Sequence, residues 1–134
     1  MSIYFPYRKK IIEEGIIPFP VVNLPVKTKF GAYLIRFLVD SGADTTTLPL
    51  SLASLFAFNP TASRKSWVSG VEGGKVAAYS SQIEISFEKK FYVVRCHFID
   101  SKVTALLGRL DVWDKFSILF DNQKEEVVFE PIKR

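Results

Sequence analysis

The sequence predicts an all-β fold, a small closed or sandwiched barrel with one C-terminal helix. Three observations predict it. Apolar residues recur at every second position, most cleanly at Ile83, Ile85 and Phe87. The apolar runs are short and punctuated by Gly, Pro, Asn and Asp, the residues of tight turns. Hydrophobic residues make up 48% of the 134 positions, enough for one sizeable core, so residues 1–134 are expected to form a single domain.

The elements follow in chain order. Residues 1–20 read as an extended arm, interrupted at Pro6, Pro18 and Pro20, with one short strand. Val21 to Phe30 is strand-like despite Pro25. After a turn at Gly31, Tyr33 to Val39 is apolar except for Arg36, the mark of a strand covered on both faces. A small, polar turn from Asp40 to Thr47 ends at Leu48-Pro49. Ser51 to Phe58 places Leu52, Leu55 and Phe56 on one face of a short helix. Trp67 to Tyr79 reads as a hairpin whose tip is Gly70-Val71-Glu72-Gly73-Gly74. Gln82 to Glu88, Phe91 to Ile99 and Val103 to Leu107 are strands. Leu110, Trp113 and Phe116 recur every three residues and predict a helix over Arg109 to Phe116. Ser117 to Phe120 and Val127 to Phe129 close the chain as strands around Asp121-Asn122.

Composition excludes several classes. A chain with 14% aromatic residues has too much apolar surface to stay disordered. No apolar run reaches the ~18 residues of a membrane span, and no secretory signal is visible near Arg8-Lys9-Lys10. The net charge of +4 is scattered over small clusters rather than a basic stripe, so neither nucleic acid nor a membrane is an expected partner. The single cysteine, Cys96, cannot form an intrachain disulfide, and a reducing cytoplasm is the expected compartment. Cys96 and His97 are too few for a zinc site. As strand neighbours they point to opposite faces, which argues against a nucleophile pair. They read as a buried thiol and a surface or satisfied imidazole.

The chemistry is concentrated in Phe37-Leu38-Val39-Asp40-Ser41-Gly42-Ala43-Asp44-Thr45. An apolar strand delivers a carboxylate at its end, a hydroxyl follows, and Gly and Ala leave the backbone open to close approach. A carboxylate at such a place is hydrogen-bonded or functional; an Asx-type turn is the structural alternative. Other motifs fail on spacing. A calcium loop requires Gly and an acid where Thr45 and Ser51 stand, and a phosphate loop requires Gly at Ser69 and a hydroxyl at Val76. No Gly-x-Ser-x-Gly elbow is present.

Asp40-Ser41-Gly42-Ala43-Asp44-Thr45 after an apolar strand resembles the active-site loop of retropepsin-type aspartic proteases. Leu106-Leu107-Gly108-Arg109 resembles the family's second signature, and Val68 to Gly74 its glycine-rich flap tip. The three motifs stand in the family's order and span about Val21 to Phe129. The resemblance implies a retropepsin-like closed barrel, a single lobe with a flap hairpin and one short C-terminal helix. It implies an aspartic endopeptidase in which two carboxylates share a proton around one water, without metal or cofactor. This chain carries one Asp-Ser-Gly, and Asp100-Ser101-Lys102 lacks the glycine, so the resemblance implies a homodimer with Asp40 from each copy and a polypeptide substrate.

Roles follow position by position. Asp40 is the catalytic acid or base, Ser41 bonds across to the partner's loop, and Gly42 gives room near the water. Ala43 and Asp44 match positions that contact the substrate main chain. Thr47, Val103, Thr104 and Leu106 match side-chain pockets, and Ser69, Gly70 and Val71 match the flap. Gly108 permits close packing under the loop, and Arg109 matches an arginine that pairs bidentately with the carboxylate at Asp44. The family dimerises partly through terminal strands, a role open to Val127-Val128-Phe129. Glu72, a carboxylate in the flap tip, keeps open an alternative: a catalytically inactive peptide- or protein-binding module of the same fold.

Overall fold

Val22, Leu24 and Val26 are buried while Asn23 and Lys27 are exposed, the two-residue alternation of a strand with one face on a core. That alternation recurs along the chain. The computed structural model describes residues 1–59, 63–69 and 74–133. Its strands are β1 (Ile3–Pro6), β2 (Arg8–Ile12), β3 (Gly15–Phe19), β4 (Val21–Thr28), β5 (Gly31–Val39) and β6 (Thr46–Pro49). There follow β7 (Lys65–Ser69), β8 (Lys75–Phe87), β9 (Lys90–Ile99), β10 (Leu106–Leu107), β11 (Phe116–Asp121) and β12 (Glu126–Pro131). A 3-10 helix covers Leu50–Leu55, shorter and tighter than the helix expected over Ser51 to Phe58, and buries only Ala53.

The main sheet runs β4-β5-β10-β6-β9-β8-β7. The long strand β8 serves two neighbours. Its first half pairs with β7, from Ser69↔Lys75 to Lys65↔Tyr79, and its second half reaches β4 at Val26↔Ile85. The second contact closes the sheet into the expected all-β barrel. Inside lie Phe37, Leu48, Ile85, Phe98 and Leu107, all essentially without solvent contact. At one end Phe87 packs on Phe116 and Phe129 at centroid distances of 4.7 and 5.4 Å. This joins the barrel to a second sheet, β1-β12-β11.

Three expectations are corrected. The arm is more structured than one short strand: β1 pairs with β12, and β2 and β3 form a hairpin with Ile11 and Ile16 exposed. The arm ends at Pro20, whose carbonyl accepts the Val39 N–H at 3.0 Å. Second, β12 offers no open edge. Val127, Val128 and Phe129 face Phe5, Tyr4 and Ile3 on one side and Phe120, Leu119 and Ile118 on the other. The open edges of this sheet belong to β1 and β11. Third, Arg109 to Phe116 is a chain of hydrogen-bonded turns rather than a helix. Asp111 adopts a left-handed conformation, φ 66°, which breaks a right-handed helix. Val112 and Phe116 face the core while Leu110 and Trp113 stay exposed, so the three-residue recurrence did not mark a buried face. No helix among the described residues is long and apolar enough to cross a membrane.

Candidate active site

The site is built where β10 inserts between β5 and β6. Leu106 and Leu107 run parallel to Leu38 and Val39, and Leu106 lies antiparallel to Thr47. The apolar face of β5, with Phe37 and Val39 buried, anchors the strand, so the chain leaves the sheet at a fixed point. Asp40 is the first residue past that point. Its N–H donates to the Leu107 carbonyl at 3.2 Å, which ties it to the neighbouring strand.

The loop then folds back on its own carboxylate. Asp40 Oδ1 accepts the Gly42 N–H at 2.9 Å, and the Asp40 carbonyl accepts the Ala43 N–H at 3.2 Å. Asp40 thus makes the Asx-type turn and presents its other oxygen outward; among the described residues nothing donates to Oδ2. A Cβ at Gly42 would lie 3.3 Å from Asp40 Oδ1, so a side chain there would crowd the carboxylate. Ser41 is exposed, and its hydroxyl has no hydrogen-bond partner among the described residues of its own chain.

Beneath the loop the packing is tighter. A Cβ at Gly108 would stand 2.4 Å from the Thr45 carbonyl carbon and 2.7 Å from the Thr46 nitrogen. Only glycine fits that crossing. The Gly108 N–H donates to the fully buried Thr46 Oγ1 at 3.0 Å, which satisfies a hydroxyl that burial would otherwise penalise. Arg109 and Leu110 continue the lacing, their N–H groups donating to the Ala43 and Asp44 carbonyls at 3.0 and 2.9 Å. The Arg109 guanidinium donates through Nη2 to Asp44 Oδ1, a single contact where a two-pronged one was expected. It also stacks over Trp113, 5.9 Å from the ring centre.

The expected pocket residues divide. Thr47 and Leu106 sit side by side on the sheet face that carries Asp40. Val103 is half-buried in the approach to β10. Thr104 instead lines a separate apolar hollow of about 370 Å³ with Tyr33, Leu34, Leu52 and Leu55. In the flap hairpin, Ser69 ends β7, and Gly70, Val71 and Glu72 lie outside the described residues.

The Arg95–Asp111 pair escaped the sequence reading. Arg95 donates through Nε to Asp111 Oδ2 and through a terminal nitrogen to Oδ1, both at 2.9 Å, and its backbone N–H adds a third bond at 2.9 Å. Arg95 Nε–H holds the Asp111 carboxyl down to about 2. The pair fastens the turn after Arg109 to β9, and with Asp44, Arg109, Leu110 and Asp114 it lines a charged cleft of about 500 Å³. No periodic signal links a strand arginine to an aspartate sixteen residues on; only the register of β9 reveals it. Cys96 is buried and its thiol is pushed up to about 12 by desolvation. His97 is half-buried, with its pKa lowered by burial and then by the charge of Arg64. No cluster of three or more His, Cys, Asp or Glu suited to a metal ion occurs among the described residues.

A closed barrel whose inserted strand locks an Asp-Ser-Gly loop is the lobe of an acid protease fold. The chain belongs to the aspartyl protease family, whose profile matches residues 24–109, well over half the chain. Among solved structures it resembles a retropepsin-like aspartic protease from Rickettsia conorii, with 18% identity and a TM-score of 0.69 over 96% of this chain and 89% of that one. It also resembles the EIAV protease complexed with the inhibitor HBY-793, with 23% identity and a TM-score of 0.52 over 68% of this chain and 82% of that one. No curated protein sequence matches the chain.

Proposed function

We propose that the protein is a homodimeric aspartic endopeptidase, each copy a single domain over residues 1–134 that supplies one Asp40 to a shared site. The observation that carries this reading is the single Asp-Ser-Gly loop, fixed by β10 and Gly108, with one oxygen of Asp40 held by Gly42 and the other left for chemistry. One carboxylate in such a setting is half of a proton-sharing pair. Two-fold association brings in Asp40 of the partner subunit. The exposed Ser41 hydroxyl, with no bond to a described residue of its own chain, is the group that reaches across to the partner's loop.

Two carboxylates that close cannot both ionise, so one carries the proton. The ionised Asp40 takes a proton from water as the water oxygen bonds to the peptide carbonyl carbon. The protonated Asp40 gives its proton to the carbonyl oxygen. The tetrahedral intermediate then collapses as the C–N bond breaks: the leaving nitrogen takes a proton from one Asp40, and a hydroxyl of the intermediate returns its proton to the other. The sequence needs no metal or cofactor. Thr47 and Leu106 face the substrate's side chains, Ala43 and Asp44 its main chain, and the Arg109 contact keeps Asp44 in place.

The test incubates purified protein with an unstructured polypeptide across acid to neutral pH, beside Asp40→Asn. The expected outcome is cleavage by the wild type and a loss of at least ~100-fold in the variant, the scale of general acid–base catalysis. Equal cleavage by both proteins would refute the mechanism.

A further inference from the structure

The register of the barrel aligns one row of side chains beside the Asp40 loop. Leu38 pairs with Leu106, Leu106 with Thr47, Thr47 with His97, and His97 with Ser80. The row continues to Arg64, whose carbonyl accepts the Ser80 N–H at 2.9 Å. Residues in register share a face. The adjacent positions Val39, Leu107, Leu48 and Phe98 all enter the core, so this row faces away from the core. Asp40 lies two residues beyond Leu38 and belongs to the same face. Leu38, Leu106, His97 and Ser80 are each half-buried, as in a shallow groove rather than on open surface.

The chemistry changes along that groove. Leu38 and Leu106 are apolar. Thr47 bonds its own loop, its hydroxyl donating to the Thr45 carbonyl at 3.1 Å. His97 and Ser80 make no side-chain hydrogen bond with a described residue, so their capacity is unspent in a partly desolvated place. Three ion pairs lie on this side, Arg95 with Asp111, Arg109 with Asp44, and Lys115 with Asp114, while Asp40 and the exposed Arg36 near the Leu38 end carry no ion-pair partner among the described residues. Arg64 has no ion-pair partner among the described residues, yet lies close enough to His97 for its charge to disfavour the imidazolium. An unmatched cation and an imidazole at the end of a groove favour an anionic, hydrogen-bond-accepting group.

We propose that His97, Ser80 and Arg64 form an acid-selective side-chain subsite, which takes a substrate Asp or Glu at one position near the bond held over Asp40. The proposal rests on the peptidase reading for the direction of the polypeptide, but concerns binding. Leu38 and Leu106 take the apolar stem of the side chain, His97 and Ser80 donate to its carboxylate, and Arg64 supplies the counter-charge.

The test uses full-length Asp40→Asn protein, so that binding is read apart from cleavage. One unstructured parent peptide is varied with Leu, Gln or Glu at each position in turn, and affinity is measured by fluorescence anisotropy. The expected result is one position at which Glu binds at least about tenfold tighter than Leu, with Gln between them. That preference falls to within about twofold when His97→Leu or Arg64→Gln is added to Asp40→Asn. Arg64 is exposed, so its variant tests the subsite without disturbing the core. Absence of such a position, no binding of any peptide, or a preference that survives both added substitutions would overturn the subsite. Wild-type protein that binds with this preference and cuts nothing would support the subsite while refuting the peptidase.

Discussion

Gly108 shows how far one residue type can decide a site. Its absent side chain lets β10 pass under the loop, and its N–H satisfies the buried Thr46 hydroxyl. Gly108→Ala drives a methyl into the Thr45 backbone, which cannot swing aside as a side chain would. The expected cost is about 3 kcal/mol, read as a lowered urea midpoint at unchanged slope. Gly42→Ala is the contrast. There the nearest atom is Asp40 Oδ1 at 3.3 Å, a side-chain atom that can shift. The expected stability change is below about 1 kcal/mol, with the loss appearing in activity instead. Asp40, Gly42 and Gly108 were legible in the sequence because carboxylates and glycines in fixed order carry their chemistry in their identity. His97 was not legible, because its meaning depends on which strands lie beside it.

At the scale of the element, alternation located most strands, since one buried face imposes a period of two wherever a strand lies. It failed over residues 109–116. There a left-handed Asp111 and its bonds to Arg95 overrode a pattern that mimicked a helix. It also missed the hairpin of β2 and β3, whose exposed isoleucines lie on no core and so leave no burial pattern to read. The Arg95–Asp111 link gives the turn its own pH dependence. The Asp111 carboxyl sits at about 2 when folded, below the ordinary value of 3.8, so the ionised form favours the folded chain. That contribution is complete above the unfolded value and fades as pH falls through the folded one. The gap in Tm between wild type and Asp111→Asn is therefore expected to be full near neutral pH, to narrow below about pH 4, to be small near pH 2 and to vanish only below that. Thermal melts of both proteins across that range check it. A gap that does not change with pH would mean that Asp111 acts through its backbone conformation alone.

For the whole molecule, the proposed shared site predicts an outcome that a self-sufficient monomer cannot produce. Equal amounts of wild-type and Asp40→Asn protein, mixed and left to exchange subunits, form dimers of which about a quarter keep both aspartates. Specific activity is then expected to fall to about a quarter of the all-wild-type value at the same total concentration, whereas independent monomers would retain about half. Assays before and after exchange check this. Within the sheet β1-β12-β11, the edges available for association are those of β1 and β11, because β12 is paired on both sides within its own chain.

The inserted strand β10 also sets a schedule. It joins Leu38 to Leu106, far downstream, and the Asp40 loop is fastened only when Gly108, Arg109 and Leu110 arrive beneath it. Such distant closure is slow, because loop entropy is lost before the contact is gained. During synthesis the Asp-Ser-Gly segment can close its own turn through Gly42, but its backbone is not anchored until Leu107, Arg109 and Leu110 have followed. The motif is therefore complete in sequence well before the strand that positions it in the fold is available.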